Sequence, residues 1–460
     1  MTMGRIFLES SSFRDPEGFL FFYNGKLYRQ INQKGKNNFD LLINSGLYQK
    51  LVEKKFLIPH TEVSLKIAAT KDAYKIIKPQ SIPFISYPYE WSFSQLKDAA
   101  LLTLEIQKIA LEHNMSLKDA SAYNIQFIGY KPIFIDTLSF ERYQEDEPWI
   151  AYRQFCQHFL APLSLIIERD PRFNLLLRDF IDGIPLDLVS HTLPLTTKLK
   201  LPLLTHIHFH ALNQKRMVNK RVDKNKYKMK KLQMFALIEN LKSTIEKMKM
   251  KKFQTEWQKY YHFMNYSNKA FENKKFIVKN FLYKIKPQSV IDLGANEGIF
   301  SQIASQTGAY TIACDIDPFV VEEIYLKAKK NKNKYLLPLV IDLTNPSPGL
   351  GWQNKERKPF SERVKVDCVL ALALIHHLAI SNNLPLELIS QYFASLGKYL
   401  IIEFVPKQDS NVQILLQNRK DIFDEYSKEA FEKIFSKYFQ ILEKKKIKES
   451  KREVYLMKRK

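Results

Sequence analysis

Between residues 289 and 404, short apolar runs alternate with stretches of helical periodicity, and this alternation constrains the fold more than any other feature. The runs are "QSVIDLG", "YTIACDIDP", "YLLPLVIDLT", "VDCVLALAL" and "YLIIEFV"; "IFSQIASQTG", closed by Gly308, and "FVVEEIYLKAKKN" read as helices between them. Parallel neighbours need crossovers of a dozen or more residues, usually helical. The order therefore predicts an α/β domain with a mainly parallel, doubly wound sheet. The closing stretch "FQILEKKKIKESKREVYLMKR" reads as two strands around a polar turn, a terminal antiparallel hairpin.

Ligands of open α/β sheets lie at the carboxyl ends of the strands. Those ends carry Asp292-Leu293-Gly294-Ala295-Asn296-Glu297-Gly298 after strand one, Asp315 after strand two and Asp342 after strand three. Gly294 allows a tight turn and close approach of a ligand to the backbone, and Gly298 allows close packing where the next helix begins. Asp315 lies 21 residues after Gly294 (315 − 294), where a carboxylate can accept both hydroxyls of a ribose. Each acid alone also fits an ordinary strand-end or cap carboxylate, and a dinucleotide oxidoreductase fits the same spacing. Three features point elsewhere: Asp292, suited to a cationic amino-acid moiety rather than a pyrophosphate; Asn296, which departs from G-x-G-x-x-G; and the terminal hairpin.

Over about residues 256–460 these motifs closely resemble the class I S-adenosylmethionine-dependent methyltransferases, with their Rossmann-like sheet. The resemblance implies that Asp292, Gly294 and Gly298 line the methionine part of the cofactor; Asn296, also expected at the cofactor, departs from the glycine that many members have there. It sets Asp315 at the ribose and Asp342 or Leu343 beside the adenine. "LALALIHHL" (370–378), with Ala371 expected at the cofactor, resembles the loop after strand four where substrate and cofactor meet. Methyl transfer needs an acceptor atom in line with the methyl and sometimes a base. His377, His376 and Glu403 are the candidates. No N/D-P-P-Y tetrapeptide follows strand four, and Cys314 and Cys368 fall inside strands rather than beside a base.

The first half carries a second constellation. In "LKDASAYNIQFIGYKPIFIDTLSF" (117–140), Asp119 precedes Asn124 by five residues and Asp136 ends a later strand, an order that kinases use to hold ATP and Mg²⁺. A hairpin ("GFLFFYN", Gly25, "KLYRQINQ"), a helix in "NNFDLLINSGLYQKLVEKKF", an extended "IPFISYPYEW" and a long helix capped by Ser92 or Ser94 lead up to it. Residues 1–215 thus resemble the aminoglycoside-phosphotransferase-like branch of the kinase superfamily, an α+β domain. That likeness makes Asp119 the catalytic aspartate and Asn124 and Asp136 metal ligands. "SLKD" replaces His-Arg-Asp, "DTL" replaces Asp-Phe-Gly, and no glycine-rich loop precedes the hairpin. Arg29 stands near the phosphate-anchoring lysine's place, with Glu53 as its expected partner. These departures point to a degenerate domain that binds nucleotide or shapes an acceptor site. A bifunctional kinase/methyltransferase is the alternative.

Along its whole length, through "ISYPYEWSFSQLKDAALLTLEIQ" and "SLKDASAYNIQF…PIFIDTLSFE", the chain is similar to a bacterial group of S-adenosylmethionine-dependent methyltransferases related to a rhizobial nodulation protein. The similarity implies modification of a glycan or surface-molecule precursor and names no firm acceptor.

With 460 residues and 45% hydrophobic content the chain can build two or three cores. Its net charge of +23 is concentrated in "KRMVNKRVDKNKYKMKK" (215–231), "KMKMKK" (247–252) and the C-terminus. A basic chain can bind nucleic acid, but no zinc module, RNA-binding signature or arginine-rich arm accompanies the charge. Residues 216–255 read as a basic helical connector. "THIHFH" sets His206, His208 and His210 at alternate positions. In a helix only His206 and His210 align, so core histidines are expected rather than a metal site. No apolar run is long enough to span a bilayer, the start lacks a signal-peptide layout, and three scattered cysteines suggest reduced thiols. The cytoplasm is the expected compartment.

Overall fold

The computed structural model describes residues 5–212, 228–250, 267–417 and 420–460. The chain forms two compact units, one of Met1–Phe127, Pro132–Lys251 and Gly349–Arg357, the other of Ile128–Lys131, Lys252–Pro348 and Lys358–Lys460.

The first unit opens with a five-stranded antiparallel sheet. Its strands are β1 (Ile6–Leu8), β2 (Gly18–Tyr23), β3 (Lys26–Asn32), β4 (His60–Val63) and β5 (Ala73–Pro79), in the order β1-β2-β3-β5-β4. Gly25, at φ +74°, makes the expected hairpin turn between β2 and β3. The helix expected within residues 37–56 is two helices, Lys36–Asn44 and Leu47–Glu53, because Gly46 adopts φ +79° and ends the first. "IPFISYPYEW" forms no α-helix: it bends at Pro83–Phe84 and makes only a short 3-10 turn at Pro88–Glu90. Helix Phe93–Glu112 follows, with the Gln95 side chain accepting from the Ser92 N–H at 3.0 Å. The loop strands are β6 (Met115–Leu117), β7 (Ile125–Ile128), β8 (Lys131–Phe134) and β9 (Phe140–Arg142).

Two findings differ from the contiguous domains and connector read from sequence. Helix Lys231–Lys247 belongs to the first unit and buries Met234, Ile238, Leu241 and Ile245. Lys242 and Glu239 on this helix bond Glu105 (3.0 Å) and Lys108 (2.6 Å) of Phe93–Glu112. Its apolar stripe recurs at three-to-four spacing, so it packs as a helix of that core. The rest of the expected connector, 216–227 and 251–255, and the expected domain start at 256 lie outside the described residues. Gly349–Arg357 also belongs to the first unit, where Arg14 grips buried Glu356 through two bonds of 2.7 and 2.9 Å.

The second unit has the expected sheet. β10 (Ser289–Leu293), β11 (Tyr310–Asp315), β12 (Leu336–Val340), β13 (Val366–Ala371) and β14 (Gly397–Phe404) are parallel. β15 (Phe439–Lys446) and β16 (Glu453–Arg459) add antiparallel. The order is β12-β11-β10-β13-β14-β16-β15, so the last strand inserts beside β14 and leaves β15 at the edge. The order reverses at β10, between β11 and β13, which is where a crevice opens in such sheets. Helix Asn268–Ile285 covers the sheet with Ala270, Ile277, Val278, Phe281 and Leu282, packed with Val290, Leu370 and Ile401. Burying each large side chain there is worth about 1.5–3 kcal/mol. No helix among the described residues is long and apolar enough to cross a membrane.

Candidate cofactor pocket and a second acidic cluster

At the β10 end three alternate residues adopt left-handed backbone: Gly294 (φ +72°), Asn296 (φ +46°) and Gly298 (φ +75°). Asparagine tolerates this region, which is why Asn296 can stand where a glycine is common. Gly298 has a stricter reason, since a Cβ there would lie 2.9 Å from the Ile324 side chain. The turn is pinned to β11 by the Gly294 and Ala295 N–H groups, both donating to the Cys314 carbonyl at 2.9 Å.

The turn leaves a cavity of about 440 Å³ over the strand ends, within the range of small-molecule sites. Of the residues expected at a cofactor, Asp292, Gly294, Asn296, Asp315, Asp342 and Leu343 line it, as does His377. Gly298 and Ala371 do not: the first packs on Ile324 and the second is buried within β13. Strand four ends at Ala371, short of the expected run, because Ala373 turns left-handed (φ +51°) and starts the cavity-lining loop.

Both strand-end acids are under electrostatic load. Burial raises the Asp292 carboxyl to about 6, against the Ser301 hydroxyl that donates to it at 2.6 Å and the charge of Lys274. Burial also raises Asp315, opposed by the Asp317 and Asn296 N–H groups at 3.0 and 2.8 Å. Each Asp315 oxygen thus accepts one backbone bond and keeps lone-pair capacity for a diol. Among the described residues no lysine or arginine forms an ion pair with either acid. Beside Asp315, Ile316 lines the cavity and is 54% exposed, an apolar surface for a flat ring.

The expected bases separate. His377 lines the cavity, begins a π-helical turn (His377–Ser381) and has a pKa lowered to about 4 by burial and by the Arg452 charge. It is therefore neutral near pH 7. His376 is fully buried behind it, rings 4.2 Å apart, and burial keeps it neutral. Glu403 is also fully buried and does not line the cavity. It is ion-paired with Lys274 at 2.6 Å and with Arg452 at 3.5 Å. A carboxylate held by two cations is a poor proton acceptor, so geometry removes Glu403 and His376 from direct contact with an acceptor. Lys274, Phe300, Ser381, Asn382 and Leu415 line the cavity without having been singled out in the sequence. Lys274 was legible in retrospect, as a lysine in the Ala270–Ile277–Val278–Phe281 apolar stripe.

In the first unit Asp119, Asn124 and Asp136 do come together. Asn124 bonds Asp119, and the Asp136 charge acts on Asp119, whose carboxyl is raised chiefly by burial. Arg29 pairs directly with Asp136, not with Glu53, which instead accepts from Gln49 at 2.9 Å. Burial opposes the Asp136 charge, yet Arg29, the Ser139 hydroxyl (2.7 Å) and the Leu138 N–H (3.0 Å) hold its carboxyl below the usual range. Among the described residues no group of three His, Cys, Asp or Glu could hold a metal ion. The "THIHFH" histidines lie in and just after a π-helical turn (Leu204–Phe209). His206 sits between the Tyr152 hydroxyl (2.7 Å) and Asn240 (2.8 Å), and His208 between Ser190 (2.8 Å) and Thr197 (2.9 Å).

No family model matches the chain. Nodulation protein NoeA of Rhizobium meliloti (strain 1021) is 34% identical over 470 residues, which cover 99% of this chain and 96% of NoeA. The chain belongs to the NoeA family. Parts of it are similar to solved structures. The N-methyltransferase NodS from Bradyrhizobium japonicum WM9 is 8% identical, covering 42% of this chain and 98% of NodS at a TM-score of 0.31. Magnesium protoporphyrin IX methyltransferase (ChlM) from Synechocystis PCC 6803, with bound SAM, is 18% identical over 44% of this chain and 90% of its own, TM-score 0.31. The bifunctional kinase-methyltransferase WbdD is 14% identical over 42% of this chain and 40% of its own, TM-score 0.29. Likenesses at this level carry nothing about the chemistry of the NoeA-family chain.

Proposed function

We propose that the second unit is an S-adenosylmethionine-dependent methyltransferase. The observation that carries this reading is the cavity at the β10–β13 crevice, lined by two strand-end acids, buried Asp292 and half-buried Asp315, with no paired lysine or arginine among the described residues. Such acids call for a ligand with hydroxyls and positive charge. An adenosyl sulfonium has both: Asp315 suits the ribose diol, Asp292 the amino group, and Ile316 and Leu343 the adenine. A pyrophosphate would instead meet the Asp292 carboxylate, which weighs against a dinucleotide, whereas Asp315 suits a ribose in either case. The cofactor supplies an electrophilic methyl group. His377, neutral and on the cavity wall, is the side chain suited to accept a proton or hydrogen bond from the acceptor atom.

The acceptor class, a glycan or surface-molecule precursor, is supported by the sequence resemblance alone. The nucleic-acid alternative has only the basic charge behind it. For the first unit we favour a kinase-like domain that binds a nucleotide or the acceptor without turning over ATP, because Arg29 already neutralises Asp136 where a metal would be needed. The bifunctional alternative requires ATP turnover that Asp119→Ala abolishes. The methyltransferase reading is tested by thermal unfolding with S-adenosylhomocysteine. At a ligand concentration about 100-fold above Kd, stabilisation of about 2.7 kcal/mol is expected, falling to about 0.4 kcal/mol in Asp315→Ala. No shift in the wild-type protein would remove the reading.

A further inference from the structure

One cation in the pocket wall is held in an unusual way. Helix Asn268–Ile285 turns its apolar stripe to the sheet, and Lys274 lies within that stripe, only 3% exposed. Burying an ammonium costs several kcal/mol, and a buried ion pair is often no more stabilising than an apolar pair of similar size. Packing alone therefore gives no reason for a lysine here. The pair is also asymmetric. Lys274 lines the cavity, whereas Glu403 stands behind it, 2.6 Å from the ammonium. Behind Glu403 lies Arg452, which forks onto Asp409 at 2.6 and 2.8 Å, and Asp409 caps helix Ser410–Leu416 through the Asn411 N–H at 3.0 Å. The Phe300 ring flanks the ammonium on another side, 4.8 Å away. Backed by this chain of ion pairs, the ammonium is fixed in place rather than free to swing.

The same stretch of wall carries Asp292, whose carboxylate is oriented by Ser301. Lys274 is close enough for its charge to act on Asp292. A fixed cation and a fixed anion on one wall are complementary to a zwitterion, and the amino-acid end of an adenosyl sulfonium is one: an ammonium and a carboxylate on a single carbon. We propose that Lys274 receives the α-carboxylate of the bound cofactor's amino-acid end, and that Glu403 is the residue that positions it. This rests on the cofactor reading above. It also assigns the one acid of strand β14 a role: Glu403 acts through Lys274.

The test compares two ligands on the full-length protein by calorimetry: S-adenosylhomocysteine, and 5′-methylthioadenosine, which keeps the adenosine and sulfur but lacks the amino-acid end. Lys274→Met should weaken the first by about 10- to 100-fold, the range for a hydrogen bond to a charged group, and leave the second within about twofold. Lys274→Arg should restore part of the preference, and Glu403→Gln should reduce it several-fold with Lys274 intact. Lys274→Met leaves the buried Glu403 charge to Arg452 alone, so Lys274→Met/Glu403→Gln, which removes both charges, is measured beside it. An unchanged preference in the folded double variant, or equal loss of both ligands, would overturn the role of Lys274. Wild-type protein that binds neither ligand would overturn the cofactor reading itself.

Discussion

The two acidic clusters differ in what covers their carboxylates. In the first unit Asp136 is met by Arg29 from its own chain, and its carboxyl is held low. In the second, Asp292 and Asp315 face a cavity, and burial pushes both carboxyls up. An acid neutralised from within adds to the fold, whereas an acid left under load is one whose counter-charge or donors come with a ligand. Asp119 beside Asp136 is itself raised by burial, so the contrast rests on Asp136: sequence spacing alone presented it and the strand-end acids as equals, and the Arg29 cation tells them apart.

The largest effect expected of this contrast is in the first unit. Arg29→Met leaves Asp136 nearly buried and unpaired, so the first unit should lose about 3 kcal/mol in denaturant unfolding. Arg29→Met/Asp136→Asn should recover most of it. If the single variant is as stable as wild type, the internal neutralisation is not real.

Next comes Asp315→Ala. If Asp315 accepts two ribose hydroxyl bonds as proposed, its removal should weaken S-adenosylhomocysteine about 100-fold by calorimetry, at about 1.5 kcal/mol or more per charged hydrogen bond. Asp119→Ala in the other cluster should leave that affinity within about twofold. Equal sensitivity to both would break the comparison.

A smaller effect comes from pH. The empty Asp292 carboxyl titrates at about 6, and a bound ammonium favours its ionised form. Below pH 6 binding must displace a proton, so Kd should rise by up to about tenfold per pH unit between 6 and 5 and stay level above 7. Asp292→Asn should bind weakly at every pH and lose this slope. The sign for stability is opposite: a carboxyl raised from 3.8 to about 6 makes the empty fold gain stability from this group as pH falls through that interval. Melting of the ligand-free protein measures it.

The smallest effects are on the turn itself. Asn296→Gly should change stability by less than about 1 kcal/mol, since both residues accept φ +46°. Gly298→Ala meets Ile324 and a left-handed backbone together and should cost about 1–3 kcal/mol.

The second unit's sheet was legible because each strand is a buried apolar run between turn signals, and its strand-end acids because their positions follow from the strands. The first unit's D-x-x-x-x-N loop was legible by spacing. What spacing could not give was pairing across the sequence. Arg29 and Asp136 are 107 residues apart and Lys274 and Glu403 are 129 apart (403 − 274), so neither pair leaves a local signal. Glu403 reads as a catalytic acid in "YLIIEFV" because a lone carboxylate in an apolar strand demands a reason. The reason is two buried cations from other elements. The break at Gly46 was missed for a different cause, since a glycine within a periodic pattern is often tolerated in a helix.

The most direct measurement is calorimetric titration of the full-length protein with S-adenosylhomocysteine and, separately, with Mg·ATP. The account predicts micromolar binding of the first that weakens about 100-fold in Asp315→Ala. Binding of Mg·ATP with none of S-adenosylhomocysteine would contradict it and make the first unit the seat of the activity.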